Sequence, residues 1–348
     1  MLRRLNLFSS SLPNRKVDIY APEKKIVELA PTKSAPIAPI SRVEQELLHF
    51  LARLSSPILK TTNLNTTMQE VKAALFAKDY AKAFGGKEEY REAYAARWVP
   101  SRALVYRKIC RESPEIKKAL TGSVEGEVRR AICLGGGAGS EVVAIGSLLS
   151  KEGAKWKGRG KVEIVAVDNC DWSAVLAKQE EAMLAEWGLR DHFNVVFQTA
   201  DVLSDVPLPS TSPSTSILPA TSTPIDYGNA ALVTLLFTVS ELFLQSRVKT
   251  MALLHHISSL AQPDTLLLVV ESASLAEIPI GNSGRTYPLG MMLDHALAED
   301  KAGGKGKAQW EKLRGEESTW YRMPEGAAHA YPLKLENTRV VIRLYRKL

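Results

Sequence analysis

The segment Ala131-Ile-Cys-Leu-Gly-Gly-Gly-Ala-Gly-Ser-Glu-Val142 constrains the fold of this 348-residue chain more than any other. A short apolar run, Ala131 to Leu134, stops at glycine, and a helical pattern starts at Gly139. A buried strand turning tightly into a helix N-terminus is a building unit of α/β sheets. Its turn is where such sheets hold nucleotide-like ligands. One glycine would satisfy the turn's need for a positive φ. Four glycines in five positions predict backbone pressed against a ligand.

The spacing selects among ligands. Gly135-x-Gly137-x-Gly139 matches the loop of S-adenosylmethionine (SAM) methyltransferases, which makes SAM the expected cofactor. A dinucleotide fingerprint would need glycine at position 140, where Ser140 stands, and no Walker-type G-K-[ST] triplet occurs.

Residues 1–40 carry five prolines and little periodicity, and read as a disordered basic arm. Arg3, Arg4, Arg15 and Lys16 precede any acid, a composition that fits a mitochondrial transit peptide as well as an arm. From Ser41 the texture is helical. Val43, Leu47, Leu48, Leu51 and Leu54 share a face, and Ser41 with Glu44 forms a capping box. Further helices are expected over 67–84, 87–97, from Pro100 towards Cys110, and over 114–120, so residues 41–120 form an all-helical module. Over 127–348 strands and helices alternate. Strands are expected at 131–134, 163–167, 194–198, 231–237 and 265–271, with helices at 139–149, 173–187 and 240–261 between them. A loop with Pro279, Gly281 and Gly284 follows, then a helix at 289–299, a Lys/Gly-rich break at 301–307 and two strands at 318–323 and 339–345. This order predicts an α/β fold of the class I SAM-dependent methyltransferase type. It has a Rossmann-like, mostly parallel seven-stranded sheet whose last strand inserts antiparallel. Residues 207–224, rich in Ser, Thr and Pro, read as a surface insert without chemistry.

No uninterrupted apolar run reaches membrane-spanning length, which predicts a soluble protein with no membrane partner. The 45 Lys and Arg against 38 Asp and Glu give a net charge of +7 and favour a polyanionic partner. Cys110, Cys133 and Cys170 form no CxxC pair and no zinc-type group with His, so no metal is expected and the compartment is read as reducing.

Six groups of residues carry the expected chemistry. The backbone of Gly135, Gly137 and Gly139 should face the amino-acid end of SAM. Asp168, directly after Ile164-Val165-Ala166-Val167, should accept from the ribose diol. Capping of the next helix falls better to Asp171 or Ser173. Asp201, with Val202 beside it, should receive the adenine amino group. Many such enzymes carry an acid two residues before the first glycine; Cys133 stands there, and Glu141 either takes part of that role or favours the helix dipole. At the end of the fourth strand, Glu241 can take a proton from a ring imide, while Phe237 or Phe243 can stack on a base. An Asn/Asp-Pro-Pro-aromatic tetrad and a cysteine are both missing from that segment, which argues against exocyclic amine and covalent C5 chemistry. Arg97, Trp98, Arg102 and Arg107 lie in a stretch of cations and aromatics suited to phosphate contact and stacking, or to ordinary helix packing.

Together these residues resemble the fungal large-subunit (25S) ribosomal RNA uridine N3-methyltransferase family. The carriers are Arg97-Trp98-Val-Pro100-Ser-Arg102, Cys133-Leu-Gly-Gly-Gly-Ala-Gly-Ser-Glu141, Leu235-Leu-Phe-Thr-Val-Ser-Glu241-Leu-Phe243, Tyr287-Pro, Leu293-Asp-His295, Trp320-Tyr-Arg322 and Tyr331-Pro-Leu-Lys-Leu-Glu336-Asn337. The resemblance spans most of residues 41–348. It implies SAM, a uridine acceptor in ribosomal RNA contacted also by Tyr287 and Arg322, and work in the nucleolus or cytoplasm. Where the family often has Asn, this chain has Ser240. The rival readings are a methyltransferase for protein or a small molecule, and a non-catalytic SAM-fold assembly factor.

Overall fold

A computed structural model describes residues 37–122, 124–150, 160–204, 206, 224–280, 285–299 and 307–348. The expectations for residues 1–36, for 207–223 of the insert and for 301–306 fall outside it. The helices that precede the glycine loop are α1 (Arg42–Leu54), α2 (Ser56–Leu59), α3 (Leu64–Phe76), α4 (Glu88–Glu112) and α5 (Pro114–Thr121). The capping box opens α1 as its sequence requires. Ser41 Oγ accepts from the Glu44 N–H at 3.3 Å, and Glu44 Oε2 accepts from the Ser41 N–H at 2.9 Å.

Two of the helix boundaries expected before the glycine loop differ. The stretch 67–84 is not one helix. α3 ends at Phe76, Lys78 takes a left-handed φ of 57°, and a separate π-helical turn covers Ala81–Gly85. Conversely, α4 runs unbroken through Pro100. Proline removes the N–H that would bind the carbonyl four residues earlier and ordinarily kinks or ends a helix. That carbonyl belongs to Ala96, and the Tyr331 hydroxyl donates to it at 2.5 Å. A buried carbonyl left unmet costs about 1–3 kcal/mol, so the distant tyrosine offsets part of the proline penalty.

The remaining elements are β1 (Val128–Leu134), α6 (Ser140–Ser150), β2 (Lys161–Asp168), α7 (Ser173–Glu186), β3 (Phe193–Thr199), β4 (Ala230–Leu236), α8 (Val239–Gln245), α9 (Arg247–Leu260), β5 (Leu266–Ser272), β6 (Glu277–Ile280), β7 (Arg285–Pro288), α10 (Leu289–Leu297), β8 (Trp310–Tyr321), α11 (Ala327–Ala330) and β9 (Thr338–Lys347). Seven strands form one sheet in the order β3-β2-β1-β4-β5-β9-β8. The first five pair in parallel, while β9 runs antiparallel to both β5 and β8. This is the class I methyltransferase sheet. The expected 240–261 helix divides at Ser246, whose side chain caps α9 by accepting from the Lys249 N–H. The expected loop around Pro279 contains instead a two-stranded hairpin, β6 with β7, separate from the main sheet. Proline is tolerated there because two strands alone leave edge positions that need no N–H.

Residues 37–348 belong to one compact unit. Residues 37–40, read as part of a disordered arm, are tied down: Ile40 N–H donates to the Glu325 carbonyl, and Glu325 N–H to the Ala38 carbonyl, both at 2.9 Å. The chain leaves β1 and β4 in opposite directions across the sheet, so a crevice opens at their carboxyl ends. Ligands of such sheets bind there.

Candidate active site

That crevice is a cavity whose wall includes Gly135, Gly136, Gly139, Glu141, Asp168, Asp201, Val202, Phe237 and Glu241. Residues expected from four separate strand ends meet in one place. Asp168 lines it from the end of β2. Its Oδ2 accepts from the Gly137 N–H at 3.3 Å and its Oδ1 from the Cys170 N–H at 3.0 Å, which leaves lone pairs on both oxygens for a diol. Burial raises its pKa, while the bonds from Cys170 and Gly137 work the other way. The helix cap that could have claimed Asp168 is made by Asp171, which accepts from the Ser173 N–H.

The glycines serve a different purpose from the one their number suggested. A Cβ at Gly137 would stand 2.1 Å from the Trp172 ring, at Gly139 1.8 Å from Gln179 Oε1, and at Gly135 2.5 Å from Thr238 Oγ1. The loop is pressed against its own protein. Gly135 and Gly139 also hold left-handed φ values of 74° and 78°. Gly137 itself lies behind the cavity wall, its N–H engaged by Asp168.

Glu141 is buried. Its Oε1 accepts from Thr234 Oγ1 at 2.6 Å, and burial pushes its pKa up to about 7 against the pull of that bond and of Arg102. Its Oε2 stands 3.0 Å from where a Cβ on Gly136 would be. Cys133 and Cys110 are buried thiols, with burial lifting both and taking Cys110 to about 12, so neither is a nucleophile. Asp201 lines the cavity while holding its own turn, accepting from the Leu203 N–H and the Ser204 hydroxyl.

At the end of β4, Phe237 has a positive φ of 58°, a conformation rare for an aromatic residue and found at functional sites. Glu241 lies in the first turn of α8. Buried Glu271 anchors that turn by accepting from the Ser240 N–H at 3.0 Å, and Ser240 Oγ is bonded to the Leu275 carbonyl. Ser240 is therefore a structural residue. Burial raises the Glu241 pKa, with Tyr80 and Arg102 pulling it back. Phe243 is core, only 3% exposed, and does not reach the cavity.

The basic stretch on α4 departs furthest from expectation. Arg97 is 7% exposed and turned inward, donating to the Lys334 carbonyl at 2.8 Å and pairing with Glu336. Arg107 is buried too, with its Nε bonded to Ser147 Oγ. Neither guanidinium faces a phosphate, because each completes a contact inside the fold. Trp98 stacks on Tyr94 and packs against the core. Arg102 alone reaches the cavity. Tyr287 lies on the β6–β7 hairpin and Arg322 is exposed beyond β8, both away from the cavity wall. Asp294 is a structural hub that accepts from Lys312, Arg343 and Tyr345.

Tyr80, Phe84, Tyr94, Tyr106 and Trp172 supply the aromatic side of the cavity; sequence reading held Tyr94 and Tyr106 within the stretch of cations and aromatics and missed the other three. The first four come from the helical segment before the sheet, so the site is built by both parts of the chain.

The residues present fit SAM: an acid with spare acceptor capacity at the end of β2, a glycine turn, an apolar Val202 and an aromatic wall. A model of the SAM-dependent methyltransferase family matches residues 51–346. The chain belongs to that family. This methyltransferase is similar to the 25S rRNA (uridine(2843)-N(3))-methyltransferase of Saccharomyces cerevisiae, 28% identical over 380 residues that cover 100% of this chain and 99% of the relative. Among solved structures it resembles human N-acetylserotonin methyltransferase in complex with SAM, with 13% identity, a TM-score of 0.36 and coverage of 82% of this chain and 65% of that one. It also resembles a 16S rRNA (adenine(1408)-N(1))-methyltransferase of Catenulisporales acidiphilia, at 12%, 0.34, and 65% against 87%. Among the described residues of this methyltransferase, no helix is long and apolar enough to cross a membrane.

Proposed function

We propose that this methyltransferase acts on N3 of a uridine in large-subunit ribosomal RNA, with the nucleolus as its place of work. The observation that carries the reading is the end-to-end similarity to the yeast relative. The acceptor end of the cavity supports it. Uracil N3 bears a proton that must leave for nitrogen to attack, and a carboxylate is available on the wall in Glu241. Tyr80 lies beside that carboxylate and steadies it. Phe237 and Phe84 offer faces on which a flipped base can stack. SAM supplies, when bound, a methyl group already activated by its sulfonium charge. The chain's own part is to align the base, take the N3 proton at Glu241 and keep water out.

For the RNA itself, the carboxyl edge of the sheet offers exposed Trp320 with Arg339 over its ring at 5.7 Å, and exposed Arg322 close by in sequence. This edge replaces α4 as the expected phosphate surface.

Mass spectrometry of ribosomal nucleosides from a deletion strain should show loss of one N3-methyluridine, restored by the wild-type gene. An unchanged nucleoside profile would refute the reading. The sign of the pH effect is specific. Glu241 acts as a base only when ionised, so wild-type turnover should level off above its raised pKa. Glu241→Gln must rely on solvent and should keep gaining with pH. Between pH 9 and pH 7 the variant should therefore lose more of its rate than the wild type. Parallel profiles would leave Glu241 without a proton to carry.

A further inference from the structure

Among the described residues that line the cavity, Arg102 is the one lysine or arginine, facing four acids: Glu141, Asp168, Asp201 and Glu241. Its guanidinium donates to the Tyr94 hydroxyl at 2.7 Å and lies over the rings of Tyr94 and Phe237, 5.6 and 5.2 Å from their centres. Stacking fixes the plane of the group. Unlike Arg97, Arg130 and Arg343, it makes no ion pair among the described residues. A guanidinium has five N–H donors. A stacked, partly desolvated cation with donors to spare is built to receive an anion.

Glu141 offers the complement across the glycine turn. Its Oε1 is taken by Thr234, while Oε2 faces Gly136, 3.0 Å from where a Cβ would stand. Arg102 lies over Phe237, and Thr238, the next residue, packs on Gly135. A cation and an anion thus line one cavity with Gly135 and Gly136. SAM carries one carboxylate, together with an ammonium and a sulfonium, so a wall with one cation and several acids matches its charges.

We propose that Arg102 and Glu141 form a clamp for the α-amino-acid end of SAM, Arg102 taking the carboxylate and Glu141 the ammonium. The helical segment before the sheet then completes the cofactor site rather than gripping RNA. The inference rests on SAM dependence and is independent of the uridine reading, since its test uses no RNA.

The test is calorimetry on the full chain with two ligands, S-adenosylhomocysteine and 5′-methylthioadenosine, the second lacking the amino-acid group. Arg102→Gln should weaken S-adenosylhomocysteine about tenfold to a hundredfold, the effect of losing a charged hydrogen bond. It should leave 5′-methylthioadenosine unchanged, which also shows that the variant folds. Arg102→Lys should fall between, because it keeps the charge and loses the fork.

Glu141 adds a proton signature. Burial holds it near the middle of its titration at pH 7, and an arriving ammonium favours the ionised form, so binding should release part of a proton. The titratable groups around it are Arg102, Tyr106 and Cys110 from α4, Cys133 from β1 and Asp168 from β2. Titrations in two buffers of different ionisation enthalpy should show the release with S-adenosylhomocysteine, and its absence with 5′-methylthioadenosine and in Glu141→Gln. Equal weakening of both ligands by Arg102→Gln would make Arg102 a packing residue and overturn the clamp. So would unchanged S-adenosylhomocysteine affinity, which would leave the cation to the methyl acceptor. Release that persists in Glu141→Gln would assign the proton elsewhere and overturn the ammonium half.

Discussion

The glycine turn after β1 and the basic face of α4 carry equally conspicuous sequence signals, and the two signals behave differently in the fold. The turn lies where its sequence says, at the cavity. Of the cations in that stretch, Arg97 and Arg107 point inward, and Arg102 reaches the cavity. The difference is one of range. A strand, a tight turn and a helix start are set by a dozen neighbouring residues, so their place follows from local physics. The partners of Arg97 are Lys334 and Glu336, more than two hundred residues away, and no local pattern foretells them. Even at the turn, the reason for glycine was nonlocal. Trp172, Gln179 and Thr238, rather than a ligand, occupy the space a side chain would need.

The largest effect that can break this comparison comes from Gly137→Ala. A Cβ 2.1 Å from the Trp172 ring forces the turn or the indole to move. S-adenosylhomocysteine affinity should fall at least tenfold and stability by about 1–3 kcal/mol, the range of overpacked cores. If the indole is the cause, a double-mutant cycle with Trp172→Leu should show favourable coupling of about 1–3 kcal/mol. Additive losses in calorimetry and denaturant melts would restore the view that the glycine faces the ligand.

Arg97→Gln is the middle-sized test. It should cost about 1–3 kcal/mol in urea unfolding, by removing bonds to a carbonyl and a carboxylate, and leave RNA affinity at fixed salt unchanged. A drop in RNA affinity without loss of stability would return this residue to the phosphate surface. The smallest effect is expected from Arg322→Gln. Taking one cation away from a single-stranded phosphate path should flatten the slope of log affinity against log salt by about 0.7, with stability and S-adenosylhomocysteine binding intact. An unchanged slope would move the RNA surface away from this edge.

Much of the fold was legible because its signals are short. Ser41 and Glu44 announce a helix start, the apolar runs of β1, β2, β4 and β5 announce buried parallel strands, and Asp168 follows one of them directly. The antiparallel ending followed from the likeness of the strand order to the methyltransferase sheet. Part of the aromatic side of the site was hidden. Tyr80 and Phe84 lie where a helical pattern continues on paper, yet the backbone turns left-handed at Lys78 and starts again, which brings both rings over the cavity. Glu271 was hidden for the opposite reason. It ends an apolar strand and looks like an ordinary surface acid until the first turn of α8 settles on it.

The hydroxyl of Tyr331 on the Ala96 carbonyl has a consequence for synthesis at the ribosome. Helix α4 is made early, but its proline-broken bond, the seat of Arg97 and the Ser101 acceptor for the Glu336 N–H all wait for residues 331–336. Strand β9 follows immediately and fills the gap between β5 and β8. A nascent chain stalled before that point carries an open sheet edge and a loosened wall beside its cofactor turn. A pulse-labelled chain truncated before Thr338 should therefore remain sensitive to protease however much SAM is supplied.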